Sequence, residues 1–343
     1  MRSYSDRLSN KFLGDGAVSN VFSIGNKKVY PIIYEVNYGQ MKSVNCYLLH
    51  DGETLTLIDG GFPLEQFNDF FDAKLAEYGF TMESIDQIIL THHHEDHTGQ
   101  VNRIVSKHQI PVYAHHLAIE RVHFDKAYLH KKRAFFMQLY EDYGCMKLSS
   151  KRFEKMAKTL LESDKLKLTV DIKPLYAGDM ICGMEVIEVP GHSPDSILLY
   201  DPETKWAFVG DIVLKTGTTN ALIDFDDNLK LLPTVEQHKQ SLHKCRTLDS
   251  TMFFAGHQPP FDNYHEVIDK NLARIDKKCA YVVDAVTNGK HRTLEIANAM
   301  YGAKLEKEFG LVMSEVIGYL YYAEMQGKIK KTMQDGEWYF DVL

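Results

Sequence analysis

The sequence predicts an α/β protein: a large domain whose sheets are covered by helices, a helical insertion, and a small domain at the C-terminal end. Three observations support this prediction. Short β-rich runs alternate with segments of helical periodicity in both halves of the chain, as layered α/β domains require. A length of 343 residues suits one large domain and a small one. Hydrophobic residues make up 44% of the chain, enough to build a large core.

The first predicted elements are strands. Residues 29–36, 44–49 and 54–58 are β-rich, and Asn-Tyr-Gly and Asp-Gly turn signals separate them. Turns this short join neighbouring strands in opposite directions. The chain is therefore predicted to open with an antiparallel sheet.

Helical and strand-like segments then alternate. Residues 63–78 place four apolar side chains at spacings of three and four, which predicts a helix that Gly79 ends. The short apolar run 88–90 indicates a buried strand, and a polar turn and a helix at 99–107 follow it. A strand, a loop and a helix are thus expected around the densest histidine cluster of the chain.

The middle of the chain is charged and aromatic. Residues 115–164 carry aromatic and apolar side chains at helical spacing, which predicts a helical insertion. A second β-rich stretch covers 166–213, with apolar runs at 184–189, 197–200 and 206–209. Residues 252–255 form a late strand.

The end of the chain changes character. Apolar residues recur at helical spacing through 263–289, which predicts a connecting helix that Asn288-Gly289 stops. A short helix, an amphipathic helix at 311–325 and a hairpin at 329–342 follow. Helix, helix and hairpin predict a winged-helix-like domain at 290–343. The large domain is then 1–262.

The charge of the chain limits which binding partners are expected. The chain has 39 basic and 47 acidic residues, a net charge of -8, so nothing favours binding of the whole surface to nucleic acid or an anionic membrane. The tail from residue 285 has seven bases and eight acids, a net charge of -1, so a packing or dimerisation role is preferred for it.

Five scattered cysteines without CxxC spacing predict reduced thiols. With no apolar signal segment at its start, the protein is predicted to be cytoplasmic.

The most informative segment is a loop of metal-binding residue types after the predicted strand 88–90. It carries four candidate ligands within six residues: His92, His94, Asp96 and His97. Imidazole nitrogen and carboxylate oxygen are donors that borderline divalent metals such as zinc accept. The loop has no cysteine. The sequence therefore predicts a metal site here.

One loop cannot complete two coordination spheres, so further ligands are expected downstream. Each of three later candidates follows a glycine at the end of a predicted strand: His192 after Gly191, Asp211 after Gly210, and His257 after Gly256. Glycine lets the backbone turn sharply and approach a site closely.

With these residues the chain resembles the metallo-β-lactamase superfamily of metal-dependent hydrolases, in its glyoxalase II-like branch with a C-terminal winged-helix-like tail. The HxHxDH motif and the three later ligands appear in the family's order. The resemblance implies an αββα sandwich over about residues 30–260. The aromatics of the insertion are interpreted as the core of a helical hairpin, although a cap over the site is the family's usual place for specificity.

The resemblance implies a role for each matched residue. His92, His94 and His192 would hold one metal ion, and Asp96, His97 and His257 the other, with Asp211 bridging. Asp211 could also pass a proton to the leaving group. Asp59, in LTLIDGG, would hold a ligand in orientation, so Asp211 and Asp59 are the two catalytic assignments. Zinc ranks first for the two divalent ions, with iron or manganese as alternatives.

Other residues near the motif are given structural roles. His93 and Glu95 occupy its variable positions and are excluded as ligands, and Ser193 lacks the paired base of a serine nucleophile. His115 and His116 are interpreted as structural histidines. Gln258-Pro259-Pro260 replaces the glycine-containing turn common after the last family ligand, and the insertion is longer than in compact relatives.

The predicted function is hydrolysis of an ester-like bond of a small molecule by metal-activated hydroxide, with a thioester or lactone ranked first. Three alternatives remain: a nuclease of the same superfamily acting on RNA, a DNA-binding regulator with a structural metal, and an iron-based oxygenase. No membrane partner is expected, and a homo-oligomer is left open. Deleting the tail, residues 291–343, is expected to change stability, association or substrate range rather than metal loading.

Overall fold

The computed structural model describes residues 21–38 and 41–343, in which two β-sheets lie face to face. Within these residues seven strands form the first sheet, in chain order: β1 (Phe22–Ile24), β2 (Lys27–Tyr38), β3 (Met41–His50), β4 (Leu55–Ile58), β5 (Gln87–Ile89), β6 (Val112–His115) and β7 (Ile172–Leu175). The first 20 residues of the predicted large domain, and the glycine of the predicted Asn-Tyr-Gly turn, lie outside the described residues.

The second sheet is built from the other half of the domain. Its strands in the described chain are, in spatial order, β12 (Met252–Ala255), β11 (Trp206–Gly210), β10 (Ile197–Asp201), β9 (Met184–Glu188) and β8 (Met180–Ile181). β2, β3 and β4 pair antiparallel, which confirms the predicted opening. β4 to β7 pair in parallel, as do β11 and β12.

Alternation along the strands places the sheets in the middle of the molecule. In β3, Tyr47 and Leu49 pack into the core between the sheets, where Phe208 and Phe254 of the second sheet meet them. Leu48, between them in sequence, points to the opposite face, because successive side chains of a strand point to opposite sides. Both sheets are therefore buried on two faces.

Helices cover the two outer faces. Glu65–Glu77 and Val101–Val105 pack on the first sheet. Lys126–Asp142, Thr234–Arg246 and Tyr264–Thr287 join the core on the outer face of the second. The αββα sandwich expected from the resemblance is confirmed.

Some helices differ from the prediction. The helix expected at 99–107 is shorter, Val101–Val105, and a separate single-turn helix, Glu95–Thr98, lies in the segment that was expected to be a polar turn. Thr234–Arg246 was not predicted, because its buried face includes His238 and Ser241 and so lacks a clear apolar stripe. The insertion contains Ile119–Val122, Lys126–Asp142 and Ser150–Leu166.

The C-terminal region follows the long helix Tyr264–Thr287. It consists of Thr293–Tyr301, Lys304–Lys307, Phe309–Met325 and the hairpin β13 (Ile329–Gln334) and β14 (Glu337–Val342). We call Phe309–Met325 the tail helix. The winged-helix character of this region stays a prediction.

The tail helix is more buried than an amphipathic surface helix. Twelve of its 17 residues are buried. It packs against the domain helix Thr234–Arg246, where Gly318 approaches Val235, and against the insertion, where Phe309 contacts Tyr140. The prediction of one exposed face is therefore wrong, because neighbouring elements cover the helix on more than one side.

Two further observations concern disulfide bonds and membrane-spanning helices. All five cysteines are unpaired. None of the helices within residues 21–38 and 41–343 is both long and apolar enough to cross a bilayer.

Candidate metal centre

The predicted ligands lie on segments that follow strand ends. The loop with His92 and His94 follows β5, and His192 comes after β9. Asp211 directly follows β11, and His257 comes shortly after β12. Because β11 and β12 pair in parallel, the residues after them leave the sheet side by side.

Three histidines form a first group of candidate metal ligands, which we call the first ligand group. His94 Nδ1 lies 2.9 Å from His92 Nε2 and 3.0 Å from His192 Nε2. The candidate ligand atoms of these three side chains all lie within 4.8 Å of one another. The structure thus brings together a ligand from the HxHxDH loop and one about a hundred residues later.

Asp96, His97 and His257 form a second ligand group. Asp96 and His97 lie in the single-turn helix Glu95–Thr98, which turns both toward the same side as His257. His257 Nε2 lies 3.4 Å from Asp96 Oδ2. The ligand atoms of this group also lie within 4.8 Å of one another.

Asp211 lies between the two groups. Its Oδ2 is 3.0 Å from His257 Nε2 and 3.7 Å from His192 Nε2, and its Oδ1 is 3.5 Å from His97 Nε2. The side chain is buried. One carboxylate therefore faces both groups, which is the geometry that a bridging ligand needs.

Most of the histidines are held through the ring nitrogen that points away from the centre. His97 Nδ1 donates to Asp59 Oδ2 (2.8 Å), His192 Nδ1 to the Asn220 carbonyl (3.0 Å), and His257 Nδ1 to the Ser43 carbonyl (2.7 Å). A donor bond at Nδ1 leaves the lone pair on Nε2, facing the centre. Such oxygen partners orient metal-ligating histidines in proteins.

The donor set fits divalent cations. His97 Nε2 and Asp211 Oδ1 are buried and have no hydrogen-bond partner among the described residues. Within the first group, His94 Nδ1 lies within hydrogen-bond distance of both other ring nitrogens, so one proton there would have to be shared between two lone pairs. Buried polar atoms without partners are costly, so a cation that accepts these lone pairs would remove the cost. Nitrogen and oxygen donors without sulfur suit borderline metals.

The electrostatics of His92, His94 and Asp211 favour the same ligand forms. Burial lowers the pKa of His92 and of His94 well below the usual value, and neighbouring imidazoles lower it further, so both rings are neutral. Burial alone would raise the pKa of Asp211, but His257 and His97 hold it well below its usual range. Neutral imidazole and ionised carboxylate are the forms that coordinate metal. Burial would lower the pKa of His97 and of His257, but nearby carboxylates raise it, so these two rings would lose a proton on binding a cation.

Asp59 is placed behind the second ligand group. Besides His97 Nδ1, its carboxylate accepts hydrogen bonds from the backbone N–H and the hydroxyl of Thr91, both at 2.8 Å. Asp59 is buried and has a left-handed backbone with φ of 60°. A non-glycine residue rarely adopts this conformation, and such strain is concentrated at functional sites.

Gly256 lies directly against two of the candidate ligands, Asp211 and His97. A Cβ atom at this position would lie 2.4 Å from Asp211 Oδ1 and 2.5 Å from His97 Cε1. Two ligand residues therefore depend on the missing side chain, which explains the glycine before His257.

Replacing Gly256 with Ala should displace Asp211 and His97. We expect bound metal to fall to less than half of the wild-type content, with about 1–3 kcal/mol of lost stability from overpacking. Elemental analysis and urea unfolding measure the two effects. Gly79→Ala is the control for metal content, because no atom lies within 4 Å of its Cβ position; its φ of 81° costs some stability, but it should keep its metal. A fully loaded Gly256→Ala protein would contradict this account.

The residues excluded from the ligand set lie elsewhere. Glu95 is exposed. His93 points to Asp195, whose carboxylate accepts from the backbone N–H of His93 at 2.8 Å and from its ring Nδ1 at 2.7 Å. His115 Nε2 lies 2.9 Å from Glu188 Oε1, and with His116 these residues form another group whose candidate ligand atoms lie within 4.8 Å of one another, so the structural interpretation of the two histidines stays a prediction.

Asp195 holds two loops of the site together, a role that the sequence did not predict. It is completely buried and ties the HxHxDH loop to the loop that carries His192. The sequence signal was an acid three residues after a ligand and directly after Pro194. That signal is weak, since nothing local identifies His93 as its partner.

Comparisons with known proteins agree with this geometry. The family model described as the metallo-beta-lactamase superfamily matches residues 40–257, a range that contains every candidate ligand. The probable metallo-hydrolase YqjP of Bacillus subtilis (strain 168) is 25% identical over 295 residues, which cover 85% of this chain and 91% of that protein. Atrochrysone carboxyl ACP thioesterase of Aspergillus fumigatus is 23% identical over 300 residues, which cover 86% of this chain and 78% of that one.

A solved structure supports the fold. A metallo-β-lactamase family protein from Thermus thermophilus matches with a TM-score of 0.74 at 19% sequence identity. The match covers 92% of this chain and 98% of that one, so it extends beyond the sandwich into the C-terminal region.

Proposed function

The chain belongs to the metallo-β-lactamase superfamily and is a metal-dependent hydrolase, and from this premise we propose that it cleaves an ester-like bond of a small molecule at a centre of two divalent ions. A thioester or a lactone ranks first as the substrate. The observation that carries the proposal is the position of Asp211 between two ligand groups, within 3.7 Å of a histidine on either side.

The residues divide between the two ions as follows. The first ligand group, His92, His94 and His192, would hold one ion, and the second group, Asp96, His97 and His257, would hold the other. When bound, such a pair of divalent ions supplies Lewis acidity and a hydroxide nucleophile near neutral pH. Zinc is the first choice, and iron and manganese accept the same donors.

The chain itself supplies spacing, orientation and a proton carrier. The Asp211 carboxylate sets the separation of the two groups and can pass a proton to the leaving group. Asp59 acts through His97, whose ring it holds with Nε2 toward the centre, so it is a positioning residue. No side chain of the chain is required as the nucleophile.

Two observations favour a small, ester-like substrate. One relative, similar over 86% of this chain and 78% of its own length, is named atrochrysone carboxyl ACP thioesterase. The tail helix, which occupies the place of a DNA-recognition helix in the predicted winged-helix region, is largely buried. It offers little surface to a nucleic acid groove, so the nuclease and the DNA-binding regulator are less well supported than a small-molecule hydrolase.

Metal-dependent turnover tests this proposal. The protein, purified and loaded with zinc, should hydrolyse at least one member of a panel of thioesters, lactones, phosphodiesters and β-lactams. Removing metal with a chelator should abolish that activity, and adding zinc back should restore it, because the nucleophile depends on the ions.

Each other outcome points to a different conclusion. Turnover that survives chelation would contradict the metal-dependent mechanism. Cleavage of phosphodiesters alone, together with salt-sensitive binding of single-stranded RNA, would favour the nuclease instead.

A further inference from the structure

The orientation of His192 depends on an irregular loop. His192 Nδ1 donates to the carbonyl of Asn220, at 3.0 Å. Asn220 lies in residues 214–223, which we call the Asn220 loop and which contain no helix or strand. A loop without regular structure cannot by itself hold a carbonyl in a fixed position, so its outside contacts matter.

Gln258 holds the loop near its start. The Gln258 side-chain oxygen Oε1 accepts from the backbone N–H of Thr216 (2.7 Å) and from its hydroxyl (2.9 Å), and Nε2 donates to the Thr216 carbonyl (2.8 Å). The side chain is buried. One amide thus satisfies both backbone groups of a single loop residue.

The backbone at Gln258 makes this contact unusual. Its φ is 69°, a conformation that favours glycine. The backbone is held there, because Gln258 N–H donates to Ser43 Oγ (2.8 Å) and its carbonyl accepts from Asn45 Nδ2 (2.6 Å). Glycine would suit this backbone conformation better. The hydrogen bonds from the Gln258 side chain to the Asn220 loop explain why a glutamine is found there instead. This is the Gln-Pro-Pro departure noted in the sequence.

The tail helix holds the loop at its other end. Ser314 Oγ accepts from the backbone N–H of Ile223 at 2.7 Å, and both atoms are buried. The same helix passes close to the loop again at Gly318, whose Cβ position lies 4.0 Å from the Ala221 carbonyl. Contacts from two distant parts of the sequence therefore lie on either side of Asn220.

We propose that Gln258 and Ser314 are positioning residues that clamp the Asn220 loop from both sides, orient His192 through the Asn220 carbonyl, and thereby couple metal binding to the C-terminal region. The inference rests on the proposed function only in taking His192 as a metal ligand. It gives the C-terminal region a role at the site, whereas the sequence suggested a role in stability or association.

Metal titration of clamp variants tests the coupling. Gln258→Gly removes the amide and leaves a backbone that suits its φ, and Ser314→Ala removes the acceptor for Ile223. Each should weaken zinc binding at one of the two positions by up to about 10-fold, the lower end of the usual effect of losing a direct partner of a ligand, because Gln258 and Ser314 act on His192 through the Asn220 loop. The double variant should lose less than the product of the two effects, because both act through one carbonyl.

Matched controls separate coupling from general destabilisation. Asn271→Ala and Ser163→Ala remove buried side chains whose hydrogen bonds stay within their own helices. Both should keep wild-type zinc affinity. The Co²⁺ absorption spectrum is a second readout, since a released His192 changes the coordination of one ion, and it does not depend on turnover.

The possible results are distinct. Clamp variants with the zinc affinity and Co²⁺ spectrum of the controls would overturn the inference while leaving the hydrolase proposal intact. A wild-type protein that binds no zinc would overturn both. If Gln258→Gly does not fold, Ser314→Ala alone carries the test, and a zinc affinity equal to that of the Ser163→Ala control would count against the clamp.

Discussion

Replacing Asp211 with Ala should lower turnover by about 1,000-fold or more, because the centre would lose several kcal/mol of transition-state stabilisation. The reason is that one carboxylate faces His97, His192 and His257 together. Its removal leaves two ligand groups with nothing to set their spacing. Bound metal should also fall. Initial rates on the substrate found by the panel, with elemental analysis, measure both effects.

The fold should survive this substitution, as circular dichroism would show. A suitable control is Asp201→Asn, since Asp201 is also buried but pairs with Lys27 at 2.7 Å, away from the ligand groups. That variant should lose stability by weakening a buried ion pair and still bind metal. Unchanged activity of Asp211→Ala would refute the bridging role.

Deleting residues 290–343 should abolish cooperative folding altogether. The deletion removes a set of buried apolar side chains that share one core with the second sheet: Ile296, Leu305, Phe309, Val312, Met313, Val316, Ile317, Leu320, Ile329 and Phe340. Each is worth about 1.5–3 kcal/mol when fully buried. Without them, the apolar residues that they cover on the helices Lys126–Asp142, Thr234–Arg246 and Tyr264–Thr287 would be exposed to water, and losing even part of that burial is a large change beside the net stability of a typical domain, about 5–15 kcal/mol.

Point variants make the same prediction measurable in a folded protein. Leu320→Ala, at a position with no exposure, should lower the free energy of unfolding by about 2–5 kcal/mol. Leu311→Ala in the same helix, where the leucine is 48% exposed, should change it by about 0.5 kcal/mol or less. Urea unfolding compares the two. A truncated protein that unfolds cooperatively with its metal bound would contradict the shared core.

The effect expected from deleting residues 290–343 is larger than the sequence suggested. From the pattern alone, the tail looked like a separable unit whose loss would spare metal loading. The structure places the tail helix against Val235 and Tyr140, and Ser314 on the loop that reaches His192. Periodicity identifies an apolar helix but not the number of its sides that neighbours cover.

The family and the sandwich could be predicted because their signals are local. Four ligand types within six residues, and three more after Gly-ended strands, need no contact information to be recognised. The strand runs were found for the same reason, since alternation and turn signals act over a few residues. The helix Thr234–Arg246 was not predicted because polar residues, His238 and Ser241, lie on its buried face, so apolar and polar positions do not alternate clearly along it.

The sequence by itself determined which residue types are available to bind metal, their order along the chain and the strands that precede them. Only the tertiary structure decided which of them meet, and which distant groups orient them: Asp195 beneath His93, the Ser43 carbonyl behind His257, and Gln258 and Ser314 around the Asn220 loop. The physical reason is that these bonds join backbone or amide groups far apart in sequence. Almost every residue carries such groups, so no local pattern marks the ones that are used.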